Sequence, residues 1–124
     1  MAGTINLSMS NTEKDYFEIT AVATAGADGS YPSAPLSSVW PDGGLYLYQL
    51  ETSPGSPAPT NGYGVTLTDG FGADLLLGKG AGQSASAPQI ASGINTFIDA
   101  APTLNISGNS VAGAVINLKL VMAR

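Results

Sequence analysis

The feature that most constrains the fold is a period of two in hydrophobicity over residues 114–122, although Val115 and Val121 at the alternate positions are also apolar. Every second residue there is apolar and is predicted to face a core: Ala114, Ile116, Leu118, Leu120 and Met122. This is the period of a β-strand, whose successive side chains point to opposite faces. Ile5, Leu7 and Met9 repeat the pattern. No window of about a dozen residues shows the 3.6-residue period of an amphipathic helix, so the sequence predicts an all-β chain.

Four more segments are predicted to be strands because β-branched and aromatic residues are frequent in them: residues 15–24, 45–52, 63–69 and 103–107. The 16 glycines and 8 prolines are frequent between the predicted strands, where they favour turns and loops. The conformation of residues 73–77 and 94–98 stays open. The sequence therefore predicts an antiparallel β-sandwich, jelly-roll-like, with long Gly/Pro/Ser-rich loops, as a single domain over residues 1–124.

The chain contains neither histidine nor cysteine. This removes the usual general base at neutral pH, the thiol nucleophile and nearly all zinc and copper ligands. The nine acidic residues stand in no recognisable catalytic motif. Residues 72–80 do not form a phosphate-binding loop, because Lys79 is followed by Gly80 and not by the Ser or Thr that holds magnesium. We therefore expect no enzymatic activity, no catalytic residue, no metal and no cofactor.

The four basic residues are scattered along the chain: Lys14, Lys79, Lys119 and Arg124. Binding to a phosphate backbone or to an anionic lipid surface needs clustered Lys and Arg. We therefore expect neither a nucleic acid nor a membrane as partner. The first residues show no basic region followed by an apolar core, so the sequence predicts synthesis and folding in a cytoplasm.

Aromatic residues are the best candidates for a binding surface. Five of them would form a carbohydrate platform if they were exposed: Tyr31, Trp40, Tyr46, Tyr48 and Tyr63. Aromatic residues also fill cores and subunit interfaces. Residues 45–50 are apolar on both faces, which indicates either a central strand or a strand with one face covered by a neighbouring chain. We therefore assign Trp40, Tyr46 and Tyr48 to a subunit interface.

The middle and the end of the chain resemble a family of small structural proteins of tailed bacteriophages. The first shared pattern is Tyr63-Gly64-Val65-Thr66-Leu67-Thr68-Asp69, followed by Gly72-Ala73-Asp74-Leu75-Leu76 and Gly80-Ala81. The second is Leu104-Asn105-Ile106-Ser107-Gly108-Asn109, followed by Ala112-Gly113-Ala114. The resemblance covers about the C-terminal half of the chain and implies a component of the virion.

On this resemblance we expect a virion structural protein, specifically a capsid decoration (cement) protein that binds and stabilises the head shell. A neck or tail component, or a carbohydrate-binding module for attachment to the host surface, is the alternative. The expected partners are the major capsid protein or neighbouring virion proteins and further copies of the chain. Only 10% of residues are charged, which protects a lone monomer poorly against association. Analogy with decoration proteins favours a homotrimer, with residues 78–93 either an arm on a neighbour or a loop.

Overall fold

The computed structural model describes residues 3–13, 16–41 and 43–124. Within them the chain forms nine strands: β1 Thr4–Glu13, β2 Tyr16–Thr24, β3 Ala34–Pro35, β4 Leu45–Pro54, β5 Gly64–Thr68, β6 Gln89–Ala91, β7 Thr96–Ile98, β8 Thr103–Ser107 and β9 Val115–Ala123. A single 3-10 turn, Leu36–Ser38, follows β3. Asp15, the first residue of one predicted strand, lies outside the described residues.

The strands form two antiparallel sheets that wrap as a jelly roll. The six-stranded sheet has the order β1-β2-β9-β4-β6, and β7 also pairs with β4; the three-stranded sheet has the order β3-β8-β5. The chain passes from one sheet to the other six times: between β2 and β3, β3 and β4, β4 and β5, β5 and β6, β7 and β8, and β8 and β9. Distant strands therefore pair in nested fashion: β2 with β9, β3 with β8, and β4 with β7. This nesting confirms the predicted sandwich and its jelly-roll character.

The core lies between the two sheets and is built from the alternating positions that the sequence indicates. Along β9 the even-numbered residues Ile116, Leu118, Leu120 and Met122 are buried, and the odd-numbered residues are half-buried on the other face. The same alternation holds in β2 and β5. Burying an aliphatic side chain of this size stabilises the fold by about 1.5–3 kcal/mol.

Residues 78–93 belong to the sandwich and do not extend as an arm. β6 within this segment pairs with the end of β4. The Gln83 amide donates to the Tyr63 carbonyl at 2.8 Å, and the Gly80 carbonyl accepts from Val65 at 2.9 Å. The buried Gln83 side chain accepts a hydrogen bond from Thr52 at 2.7 Å. The arm hypothesis is therefore wrong, because these backbone groups find their partners in the same chain.

Candidate functional site

The three residues assigned to an interface fall into two places. Tyr46 and Tyr48 lie on the outer face of β4, each 41% exposed, since Leu45 and Leu47 take the inner positions. Trp40 is half-buried and packs against the core, and its indole nitrogen bonds to no described residue. The structure thus places the two tyrosines on one surface, whereas Trp40 contributes to packing.

The five aromatics do not assemble into a carbohydrate platform. Tyr63 is fully buried, because it continues the inner-face alternation of Val65 and Leu67. Tyr31 is half-buried, and its hydroxyl donates to the Ala114 carbonyl at 3.0 Å. Burial raises the pKa of Tyr31 to about 12 and also raises the pKa of Tyr63. Both rings therefore pack in the interior, and the hypothesis that the five aromatic residues form a carbohydrate platform is wrong.

A different aromatic arrangement, which we call the aromatic row, crosses the outer face of the six-stranded sheet. Tyr16 on β2, Ala123 on β9, Tyr46 on β4 and Phe97 on β7 are consecutive partners in register. The Tyr46 and Phe97 ring centroids lie 5.2 Å apart, with the planes inclined by 59°. Phe97 is 53% exposed. Antiparallel partners share a face, so the row presents three rings on one surface.

Ala123 leaves a gap in the aromatic row. Neighbouring strands lie about 4.8 Å apart, so Tyr16 and Tyr46 are separated by roughly two such spacings, with a methyl group between them. The Tyr16 hydroxyl donates to the Glu18 carboxylate at 2.7 Å, and this bond raises the pKa of Tyr16. The small side chain of Ala123 therefore separates the Tyr16 ring from the Tyr46–Phe97 pair.

The same outer face continues into a shallow polar groove. Its lining is mostly hydrogen-bonding side chains: Glu18, Thr20, Glu51, Ser53, Asn117 and Lys119. The Lys119 ammonium lies 3.2 Å from the Glu51 carboxylate. Both groups are about one-third exposed, so the pair contributes at most about 1 kcal/mol to stability. The groove therefore offers donors and acceptors with little net charge.

A second candidate lies in the loop that carries the sequence resemblance, which we call the braced loop (residues 69–78). The Asp69 carboxylate accepts hydrogen bonds from the Phe71 amide at 2.9 Å and the Ala73 amide at 3.0 Å. The Asp69 amide in turn donates to the Ala73 carbonyl at 3.1 Å. Asp commonly closes a turn in this way, by bonding to backbone amides shortly after it.

Asp74 fixes the second half of the braced loop. One carboxylate oxygen accepts from the amides of Leu67 and Leu76, at 3.1 and 3.0 Å. The other accepts from the Gly78 amide at 2.9 Å. The two aspartates together accept hydrogen bonds from five backbone amides, through three of their four carboxylate oxygens. Leu76 is fully buried and anchors the loop in the core.

The braced loop presents two large apolar side chains to solvent. Phe71 is 100% exposed, and Leu77 is 60% exposed. Leu77 has a φ of 56°, a left-handed conformation that a leucine adopts only where surrounding contacts impose it. The exposure of Phe71 was not predicted from the sequence. The available signal was the position of Phe71 between Gly70 and Gly72, since glycine favours turns at the surface.

The chain matches no protein-family model and no curated protein. Among solved structures, the CBM22-1 xylan-binding domain of Xyn10C from Paenibacillus barcinonensis aligns with it at a TM-score of 0.32. The sequence identity is 13%, over 98% of this chain and 85% of that domain. Inferences about function therefore rest on this chain's own residues.

No group of three or more acidic residues that would hold a metal ion occurs in the described part of the chain. None of the described residues forms a helix long and apolar enough to span a membrane. The described residues offer two candidate surfaces: the outer face of the six-stranded sheet and the braced loop.

Proposed function

We propose that the chain is a structural subunit of a tailed-bacteriophage particle, a decoration protein that docks on the capsid shell through its braced loop. The observation that carries the proposal is Phe71, which is fully exposed on a loop held by five hydrogen bonds to two aspartates. Asp69 and Asp74 also belong to the residue pattern in which the chain resembles virion proteins. Two residues of that pattern thus bind the backbone amides of the loop that carries Phe71.

Exposure of the Phe71 side chain to water is unfavourable in free energy, and docking into an apolar pocket would recover that free energy. Moving a phenylalanine side chain from water into an apolar pocket is favourable by roughly 2–3 kcal/mol. Because the loop is held in one conformation, little backbone entropy remains to be lost when it binds. Leu77 adds apolar area on the same loop. A rigid apolar tip of this kind suits insertion into a pocket on a neighbouring protein.

The low content of charged residues supports a position among closely packed neighbouring subunits. Four basic and nine acidic residues occur among 124, so the surface relies on small neutral side chains. Such a surface allows close approach of many neighbours without strong repulsion. Jelly rolls occur in both capsid and lectin domains, so the fold alone does not choose between a structural and a sugar-binding role.

Copy number and shell binding test this proposal. Quantitative mass spectrometry of purified particles should find the chain at a number comparable to that of the major capsid protein. A few copies per particle would instead indicate a neck, tail or receptor-binding component. Shells assembled from the major capsid protein alone should bind the purified chain in a co-sedimentation assay.

Phe71→Ser should weaken shell binding at least tenfold, since the exposed ring would no longer fill a pocket. Phe97→Ser is the matched control, because Phe97 is also an exposed phenylalanine but lies on the sheet face. Unchanged shell binding by Phe71→Ser, or an equal loss in both variants, would contradict docking through the braced loop.

A carbohydrate-binding function is the second candidate, and the aromatic row favours it. A pyranose ring presents an apolar face that stacks on aromatic rings, and its hydroxyls need neutral donors and acceptors. The row offers Tyr46 and Phe97 beside the gap at Ala123, and the polar groove continues from it. Both features occupy one face of the six-stranded sheet.

Affinity electrophoresis in gels containing soluble polysaccharides, together with a glycan array, tests this second function. Retardation that is lost in Tyr46→Ser and Phe97→Ser but kept in Phe71→Ser would support a glycan site on the sheet. Absence of retardation by the unmodified chain on every polysaccharide would reject it. The same three variants thus separate the two functions.

A further inference from the structure

The free edge of the six-stranded sheet is an unusually open surface. β1 is the terminal strand of that sheet, and it pairs with β2 along Thr4–Glu13. No described strand pairs with its other side. Half of its backbone amides and carbonyls therefore face outward, ready to pair with another strand.

Residues 4–11 of β1 lack the usual protection of an edge strand, although the strand ends in a register shift and the charged Glu13. Natural edges are commonly blunted by charged side chains, by proline or by a bulge. Residues 4–11 contain neither a charged residue nor a proline. The register with β2 is regular from Thr4 to Asn11 and shifts only between Asn11 and Glu13. Eight consecutive residues thus form an uncharged edge of regular register.

The inner face of β1 is incompletely covered, because the opposing sheet has only three strands. Ile5 and Leu7 are half-buried against the core, and Met9 is 39% exposed. These three side chains form an apolar ridge along the edge. An uncovered apolar ridge beside free backbone groups is what a further strand would complete.

We propose that β1 pairs antiparallel with β1 of a second copy of the chain, which joins the two six-stranded sheets into one continuous sheet. A two-fold axis perpendicular to the sheet relates the copies. Any register centred on one residue then places odd-numbered residues opposite odd-numbered ones. Centred on Leu7, for example, Ile5 of one copy lies opposite Met9 of the other, and the apolar ridges meet.

The second copy is favoured over an unrelated strand because the edge is complementary to itself. Its apolar and polar positions match under the two-fold axis, and no like charges meet across residues 4–11. An isologous contact of this kind closes at two copies. It therefore predicts a dimer in place of the trimer that analogy with decoration proteins suggests, and it does not depend on docking through Phe71.

Sedimentation equilibrium of the full chain tests the proposal, at protein concentrations from about 1 to about 100 μM. We expect twice the chain mass for the unmodified protein. Met9→Lys should raise the dissociation constant at least tenfold, because it places an ammonium group against the apolar ridge of the partner. Val22→Lys is the matched control: Val22 is equally exposed, at 39%, but lies on β2 and faces outward.

Hydrogen exchange of the unmodified chain provides a second measurement that does not require a folded variant. The outward-facing amides of β1, which alternate with those bonded to β2, should be protected at high protein concentration and should exchange faster on dilution. The amides of β9 should stay protected at every concentration. A monomer or trimer at all concentrations, equal effects of the two lysine variants, or concentration-independent exchange in β1 would overturn the proposal.

Discussion

Replacing Asp74 tests whether the braced loop is held by its carboxylates. Asp74→Ala removes the acceptor for three amides, of Leu67, Leu76 and Gly78. The first two hydrogen bonds are partly buried, and each is expected to contribute about 1–2 kcal/mol; water replaces much of the exposed third. The expected loss in the free energy of unfolding is therefore about 2–4 kcal/mol.

Asp74→Asn separates the effect of losing the hydrogen-bond acceptor from the effect of losing the negative charge. The amide oxygen still accepts from Leu67 and Leu76, but the second acceptor oxygen and the negative charge are lost. We expect a loss of about 1 kcal/mol, clearly smaller than the loss in Asp74→Ala. The comparison is informative because both variants remove one negative charge and differ in the acceptor that remains.

Urea unfolding, followed by fluorescence of the single tryptophan, Trp40, measures both variants. With a urea dependence of about 1.5 kcal/mol per M, a loss of about 3 kcal/mol lowers the unfolding midpoint by about 2 M. Equal losses in the two variants, or a loss below about 0.5 kcal/mol in Asp74→Ala, would refute the assignment of Asp74 as the brace.

Two further predictions concern the interior. Gly80→Ala should lower the free energy of unfolding by more than about 3 kcal/mol in the same assay, since its Cβ would lie 2.1 Å from the Val65 carbonyl oxygen, whereas Gly70→Ala meets no atom and should be tolerated. Stability should fall as pH rises from 10 to 12, because Tyr31 and Tyr63 keep their protons when folded but lose them when unfolded. Absorbance at about 295 nm should show these two ionising only on unfolding; titration of all tyrosines near pH 10 in the folded chain would contradict this.

The long strands were predictable because their alternation is a local signal. Along β9, every second residue from Ile116 to Met122 is buried, as the period of two indicates. The predicted segment at 63–69 corresponds closely to β5, at Gly64–Thr68. Local alternation was therefore enough to give the fold class and most of the core.

The short strands and the site residues were not predictable in the same way. β6 and β7 have three residues each, which is less than two periods, and only their pairing with β4 makes them strands. Phe97 therefore joined the aromatic row without a sequence signal. Tyr63 and Tyr46 both lie in or beside predicted strands, yet one is buried and the other exposed, because exposure depends on which face the opposing sheet covers.

The nested pairing of the strands also determines the order in which the chain can fold during synthesis. β2 pairs with β9, and even the closest partners, Thr24 and Val115, are about 90 residues apart. Closing so long a loop is entropically costly, and folds dominated by such contacts form slowly. While a ribosome is still making the later strands, β1 and β2 have no sheet to join. We therefore expect the ladders of β9 with β2 and with β4 to form last. An interruption of synthesis before β9 would leave β2 with an unpaired edge that can associate with other strands.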